Sequence, residues 1–159
     1  MPASDRGNWD INTGGGLATL FGGGAGDQLV ATGRQAQDLV AGIGNETLSA
    51  VSSSGADALV AGSGKDQRLG GSGASTMIGG SGKDIFAFVR SLNGGVDQVV
   101  NFTSADKIGL PGYRPRAVPS ALSSQTFSNG SVTITLADNT RVTFVGVSAL
   151  TRKNFITGH

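Results

Sequence analysis

With 159 residues, 12 basic and 11 acidic side chains and a net charge of +1, the chain suffices for one domain or for a repeat array with a cap. The absence of cysteine excludes disulfides and thiolate metal sites. No apolar stretch is long enough to span a bilayer, and the opening Met1-Pro2-Ala3-Ser4-Asp5-Arg6 lacks a signal peptide's apolar run. The expectation is a soluble chain, either cytoplasmic or exported by a route that needs no N-terminal signal.

Residues 1–13 form an N-terminal segment in which Gly7-Asn8-Trp9-Asp10-Ile11 reads as a cap, with Trp9 over the core, or as a contact that accepts a neighbouring copy. Residues 14–90 are a degenerate nine-residue repeat. Its clearest copies are Ala61-Gly62-Ser63-Gly64-Lys65-Asp66 and Gly79-Gly80-Ser81-Gly82-Lys83-Asp84, eighteen residues apart. Going back from Asp84, the sixth position falls on Ser75, Asp66, Asp57, Glu46, Asp38 and Asp27. The first four steps are 9, 9, 9 and 11 residues.

Two positions after each of these residues stands an apolar side chain: Phe86, Met77, Leu59, Leu48, Val40 and Leu29. One inward residue per short strand is what a thin solenoid core requires. Arg68 breaks the row, and Leu69 beside it predicts a one-residue slip.

The repeat resembles that of the repeats-in-toxin (RTX) family of bacterial proteins. The resemblance implies an all-β fold: a parallel β-roll or β-solenoid with two nonapeptides per turn and calcium between half-turns stacked on one edge. It also implies type I secretion to the cell exterior. The family's best calcium site maps here onto Asp66 and Asp84 with the carbonyls of Gly62, Gly64, Gly80 and Gly82, and Asp57, Asp97 and Asp106 are further candidates. Other edges have lost ligands: Asp57 pairs with Ser75, and Arg34 and Ala36 stand where glycines belong. Calcium wants six to eight oxygens and binds more weakly as carboxylates are removed, so one or a few sites are expected, and the roll is expected to fold without a full set. Lys65 and Lys83, beside the best pair, read as solvated side chains or as substitute counter-charges.

Residues 91–159 read as a small antiparallel β cap. Glycine marks the change: 22 of 27 glycines lie at or before Gly95. The stretch from Asp97 to Phe102, followed by Asp106-Lys107-Ile108-Gly109-Leu110, resembles the segment that caps RTX rolls. Leu110 through Pro119 reads as a loop, because prolines withhold ladder donors. A hairpin is predicted over 131–146, turning at Asp138-Asn139 and burying Val132, Ile134, Leu136, Val142 and Phe144. Ser148 to Ile156 reads as a closing turn with Leu150 and Phe155 inward.

Catalytic chemistry has little to stand on. His159 is the sole histidine and lies at the C-terminus, so no Ser-His-Asp triad or His-rich zinc site is predicted. Asp66 and Asp84 replace the Ser/Thr of a phosphate-binding loop, and the basic residues are scattered rather than clustered for nucleic acid. The leading expectation is a non-catalytic structural protein that self-associates into a filament, scaffold or matrix, with Trp9 and Ile11 at the contact. The alternative is a calcium-binding RTX protein, or the C-terminal module of one, that folds on extracellular calcium.

Overall fold

The structure, a computed structural model, describes residues 10–24, 26–90 and 95–156, so the contact expected of Trp9 lies outside the described residues, as does His159. The chain winds as a β-solenoid of about five coils. The first coil holds β1 (Asp10–Asn12) and β2 (Ala18–Phe21), the second β3 (Gln28–Gly33) and β4 (Gln37–Val40), and the third β5 (Thr47–Ser53) and β6 (Ala58–Val60). The fourth adds a short edge strand, β7 (Ser63–Gly64), ahead of β8 (Gln67–Gly70) and β9 (Thr76–Ile78). The fifth repeats it with β10 (Ser81–Gly82), β11 (Ile85–Phe88) and β12 (Val96–Val100), and β13 (Lys107–Gly109) begins one more turn.

Two long parallel sheets result, and β7 and β10 pair in a short third one. The first stacks β1-β3-β5-β8-β11-β13, and the second stacks β2-β4-β6-β9-β12. Parallel pairing thus starts before residue 14 and continues past residue 90.

Register turns the nine-residue period into ladders. In the first sheet Ile11, Leu29, Leu48, Arg68, Phe86 and Ile108 lie in one row. In the second, Leu20, Leu39, Leu59, Met77 and Val99 do the same, and Phe144 extends the row. These rows face each other as the core.

Two sequence expectations are corrected here. In the second coil the repeat slips by one residue: Gln37 and Leu39 are buried while Asp38 is exposed, so Gln37 takes the sixth position and Leu39, not Val40, the core position. At Arg68 there is no slip. The guanidinium itself occupies the apolar row, fully buried, and Leu69 stays half-buried on the other face.

Close stacking dictates glycine at the turns. A Cβ on Gly82, whose φ is +137°, would lie 1.7 Å from the Gly64 carbonyl oxygen of the preceding coil. No side chain fits there without parting the coils.

Beyond β13 the chain forms α1 (Ala117–Ser123), β14 (Thr126–Ser128), β15 (Ser131–Thr135) and β16 (Arg141–Phe144). The helix overturns the expected loop through Pro119. That proline is the third helical residue, where no intrahelical bond needs its missing N–H. β15 and β16 form the expected antiparallel hairpin, with Asn139 at φ 68° in the turn and all five predicted core residues buried. β16 pairs parallel with β12, so the cap prolongs the second sheet. Phe102 joins roll to cap, its ring 5.7 Å from Phe86 and 5.1 Å from Phe144. Leu150 and Phe155 close the far end, as their positions predict. No helix among the described residues is long and apolar enough to cross a membrane.

Candidate functional site

The sixth positions of the repeat form two buried polar columns along the solenoid. Asp27, Glu46, Asp66, Asp84 and Asp106 stand immediately ahead of β3, β5, β8, β11 and β13. Gln37, Asp57, Ser75 and Asp97 do so at or near the starts of β4, β6, β9 and β12. A chain entering a strand from a tight turn leaves backbone N–H groups without ladder partners, and a short carboxylate at that point satisfies them.

The bonding is regular. Asp66 Oδ1 accepts the backbone N–H of Glu46 at 2.9 Å, Asp84 Oδ1 that of Asp66 at 3.0 Å, and Asp106 Oδ1 that of Asp84 at 2.9 Å. In the second column Asp57 Oδ1 accepts from Gln37 at 3.0 Å and Asp97 Oδ1 from Ser75 at 3.1 Å. The other oxygen often holds its own turn: Gly23 N–H on Asp27, Gly62 N–H on Asp66 and Thr103 N–H on Asp106. Gln37 replaces a carboxylate by bonding Thr32 through both its carbonyl and its amide, and Gly16 through the latter.

Glu46 is the misfit. Both of its carboxyl oxygens are buried, and among the described residues neither accepts a backbone N–H as the aspartates do. Burial, reinforced by neighbouring Asp66, pushes it up to about 7. Burial likewise lifts Asp97 to about 7 and raises Asp57.

Arg68 supplies positive charge inside this anionic stack. Its Nη2 lies 3.2 Å from Asp84 Oδ2, an ion pair between two fully buried side chains. Its guanidinium carbon sits 4.1 Å from the centre of the Phe86 ring, and Nη1 reaches the Ile78 carbonyl at 3.4 Å. Burial lowers its pKa; Asp84, then Asp66 and Asp106, oppose that.

The residues expected to hold calcium are thereby located. Asp66 and Asp84 do stack on successive coils, and Gly64 pairs with Gly82 between β7 and β10. Of the four carboxylate oxygens, three accept backbone N–H groups and the fourth faces Arg68. The Gly62 carbonyl accepts the N–H of Ser81, Gly80 is exposed, and Lys65 and Lys83 point to solvent. Asp57, Asp97 and Asp106 sit at the same structural positions in their coils. Among the described residues no three His, Cys, Asp or Glu side chains converge as a metal-holding group.

Sequence reasoning found the acids but missed Arg68 and Gln37. The signal for Arg68 was its position: a cation at the apolar place of an otherwise regular repeat.

The solenoid's outer surfaces complete the picture. On the second sheet Phe21, Val40, Val60, Ile78, Val100 and Val145 form one outward apolar ladder. At the first coil Leu17 and Phe21 are 77% and 68% exposed. No family model matches the chain, and none of the curated proteins matches it.

Proposed function

We propose that this protein is a non-catalytic structural module: a β-solenoid that locks its coils with its own side chains and self-associates through its first coil into a larger scaffold or filament. One observation carries this reading. Among the described residues β1 and β2 each have a strand on one side only, and Leu17 and Phe21 stand exposed beside them. Open parallel edges with bared apolar residues are templates for pairing with another chain.

The opposite end offers less. There the hairpin prolongs the second sheet and Phe155 bridges Ile108 of β13. End-to-end docking therefore pairs two first coils as the elementary unit, and the apolar ladder from Phe21 to Val145 is the lateral contact that extends it. A net charge of +1 leaves little long-range repulsion between copies.

The test is sedimentation velocity and negative-stain microscopy of the chain in EDTA, beside Leu17→Lys/Phe21→Lys. Concentration-dependent assemblies that the double variant abolishes support the reading. Monomers at every concentration overturn it.

A second reading is the calcium-binding RTX protein exported by type I secretion. Its support is the repeat itself and the buried oxygens without hydrogen bonds on Glu46, Asp57 and Asp97, which a cation would satisfy. This reading requires a chain that lacks β structure in EDTA and gains it with millimolar calcium, and that fails to fold as Asp66→Ala/Asp84→Ala. Circular dichroism with and without calcium separates the two.

A further inference from the structure

We propose a ligand site for an aliphatic carboxylate, of medium chain length, in the cleft between the outer face of the first sheet and the cap. In one outward row of that sheet, Gln28, Thr47, Gln67, Ile85 and Lys107 stand side by side. Ile85 is the single apolar member. Its neighbours on the floor are Ala87 and Gly109, and the cap closes over them with Leu110, Val118 and Ile156. The half-open cleft holds about 440 Å³, within the range of small-molecule sites.

Charge selects the head group. Arg114 and Arg152 line the cleft from two separate segments of the cap, and among the described residues no acidic side chain lines it. Neither guanidinium has a hydrogen-bond or ion-pair partner among the described residues. The turn that carries Arg152 is tied down, because Lys107 Nζ donates to the Lys153 carbonyl and Thr151 and Asn154 form a capping box. An apolar floor under two unpaired guanidinium groups matches a ligand with a hydrocarbon tail and a carboxylate head, a planar anion that an arginine fork binds in bidentate fashion.

Gly109 keeps the floor open. A Cβ there would rest at van der Waals distance, 3.6 to 3.7 Å, from Ala87, Ile156 and Ile85, so a larger side chain would project among them and fill the cleft.

The test titrates decanoate, below its micelle concentration, into the full chain by calorimetry, with methyl resonances of Ile85 and Ile156 followed by NMR. Acetate and decyltrimethylammonium serve as head-only and opposite-charge controls. Saturable one-to-one binding of decanoate that shifts those methyls, with both controls at least tenfold weaker, is the expected result. Arg114→Gln/Arg152→Gln should weaken decanoate at least tenfold and erase its advantage over the cationic detergent. Gly109→Val should abolish binding while leaving the β-sheet spectrum intact; if that variant does not fold, the arginine double variant decides. No saturable binding, equal binding of the cationic control, shifts elsewhere, or association only with phosphatidylglycerol vesicles would each overturn the proposal.

Discussion

Arg68 Nη2 and Asp84 Oδ2 meet at 3.2 Å in the centre of a core where neither side chain has more than 1% of its surface exposed. Such a pair gains little net stability over a well-packed apolar replacement, yet removing one partner strands the other charge, at a cost of about 3–5 kcal/mol. Arg68→Met and Asp84→Asn should each destabilise by about that amount. The asparagine would still accept the Asp66 N–H, so Arg68→Met/Asp84→Asn should return to within about 1 kcal/mol of the parent. Urea denaturation of all four proteins measures the cycle. Additive losses would show that the two charges act independently.

Stability should fall as pH rises through the mildly acidic range. Glu46 and Asp97, pushed up to about 7 mainly by burial, keep their protons in the folded state where the unfolded chain has already released them. Between about pH 4 and about pH 7 folding takes up protons, so each unit of pH costs stability, and above that window the loss is complete. Glu46→Gln and Asp97→Asn imitate the protonated forms. Both variants should melt above the parent at pH 8, with the gap closing towards pH 4. Melting curves across that range decide it, and a gap independent of pH would refute the assignment.

Two glycines with positive φ should respond differently to alanine. At Gly130, in the turn between β14 and β15, φ is +73° and a Cβ meets nothing within 4 Å, so Gly130→Ala pays only left-handed strain of about 1–2 kcal/mol. Gly82→Ala adds a collision with the Gly64 carbonyl and should exceed about 4 kcal/mol or prevent folding. Comparable melting temperatures for the two variants would contradict the stacking described for β7 and β10.

Much of the architecture was legible because a solenoid repeats its physics. Each acid at the sixth position and each apolar residue two places on serves one coil in the same way, so Asp57, Leu59, Asp66, Asp84 and Phe86 could be placed from spacing alone. The hairpin was readable for a related reason, strict alternation around Asp138-Asn139. Legibility failed where one residue does an unusual job. Gln37 mimics a carboxylate with an amide, which shifted the apparent register to Asp38. Arg68 sits in the core because Asp84 and the Phe86 ring lie on the next coil, a proximity that no local window contains. The helix at Pro119 was hidden because a proline in the first helical turn has the same local signature as one in a loop. The cleft under the cap depends on the outward face of β11 meeting two later segments, around Leu110 to Val118 and at Arg152 to Ile156, which only the closed fold brings together.

The carboxylate columns have a polarity. Asp106 holds Asp84, Asp84 holds Asp66 and Asp66 holds Glu46, always by gripping the coil nearer the N-terminus. A coil lost from the C-terminal side leaves a backbone N–H of the one before it without its acceptor, whereas one peeled from the N-terminal side leaves a carboxylate oxygen of the next without its donor. The two ends therefore fray into different chemistry: the cap end bares backbone donors that water satisfies as they open, and the first-coil end bares carboxylate oxygens, one clasp at a time from either side.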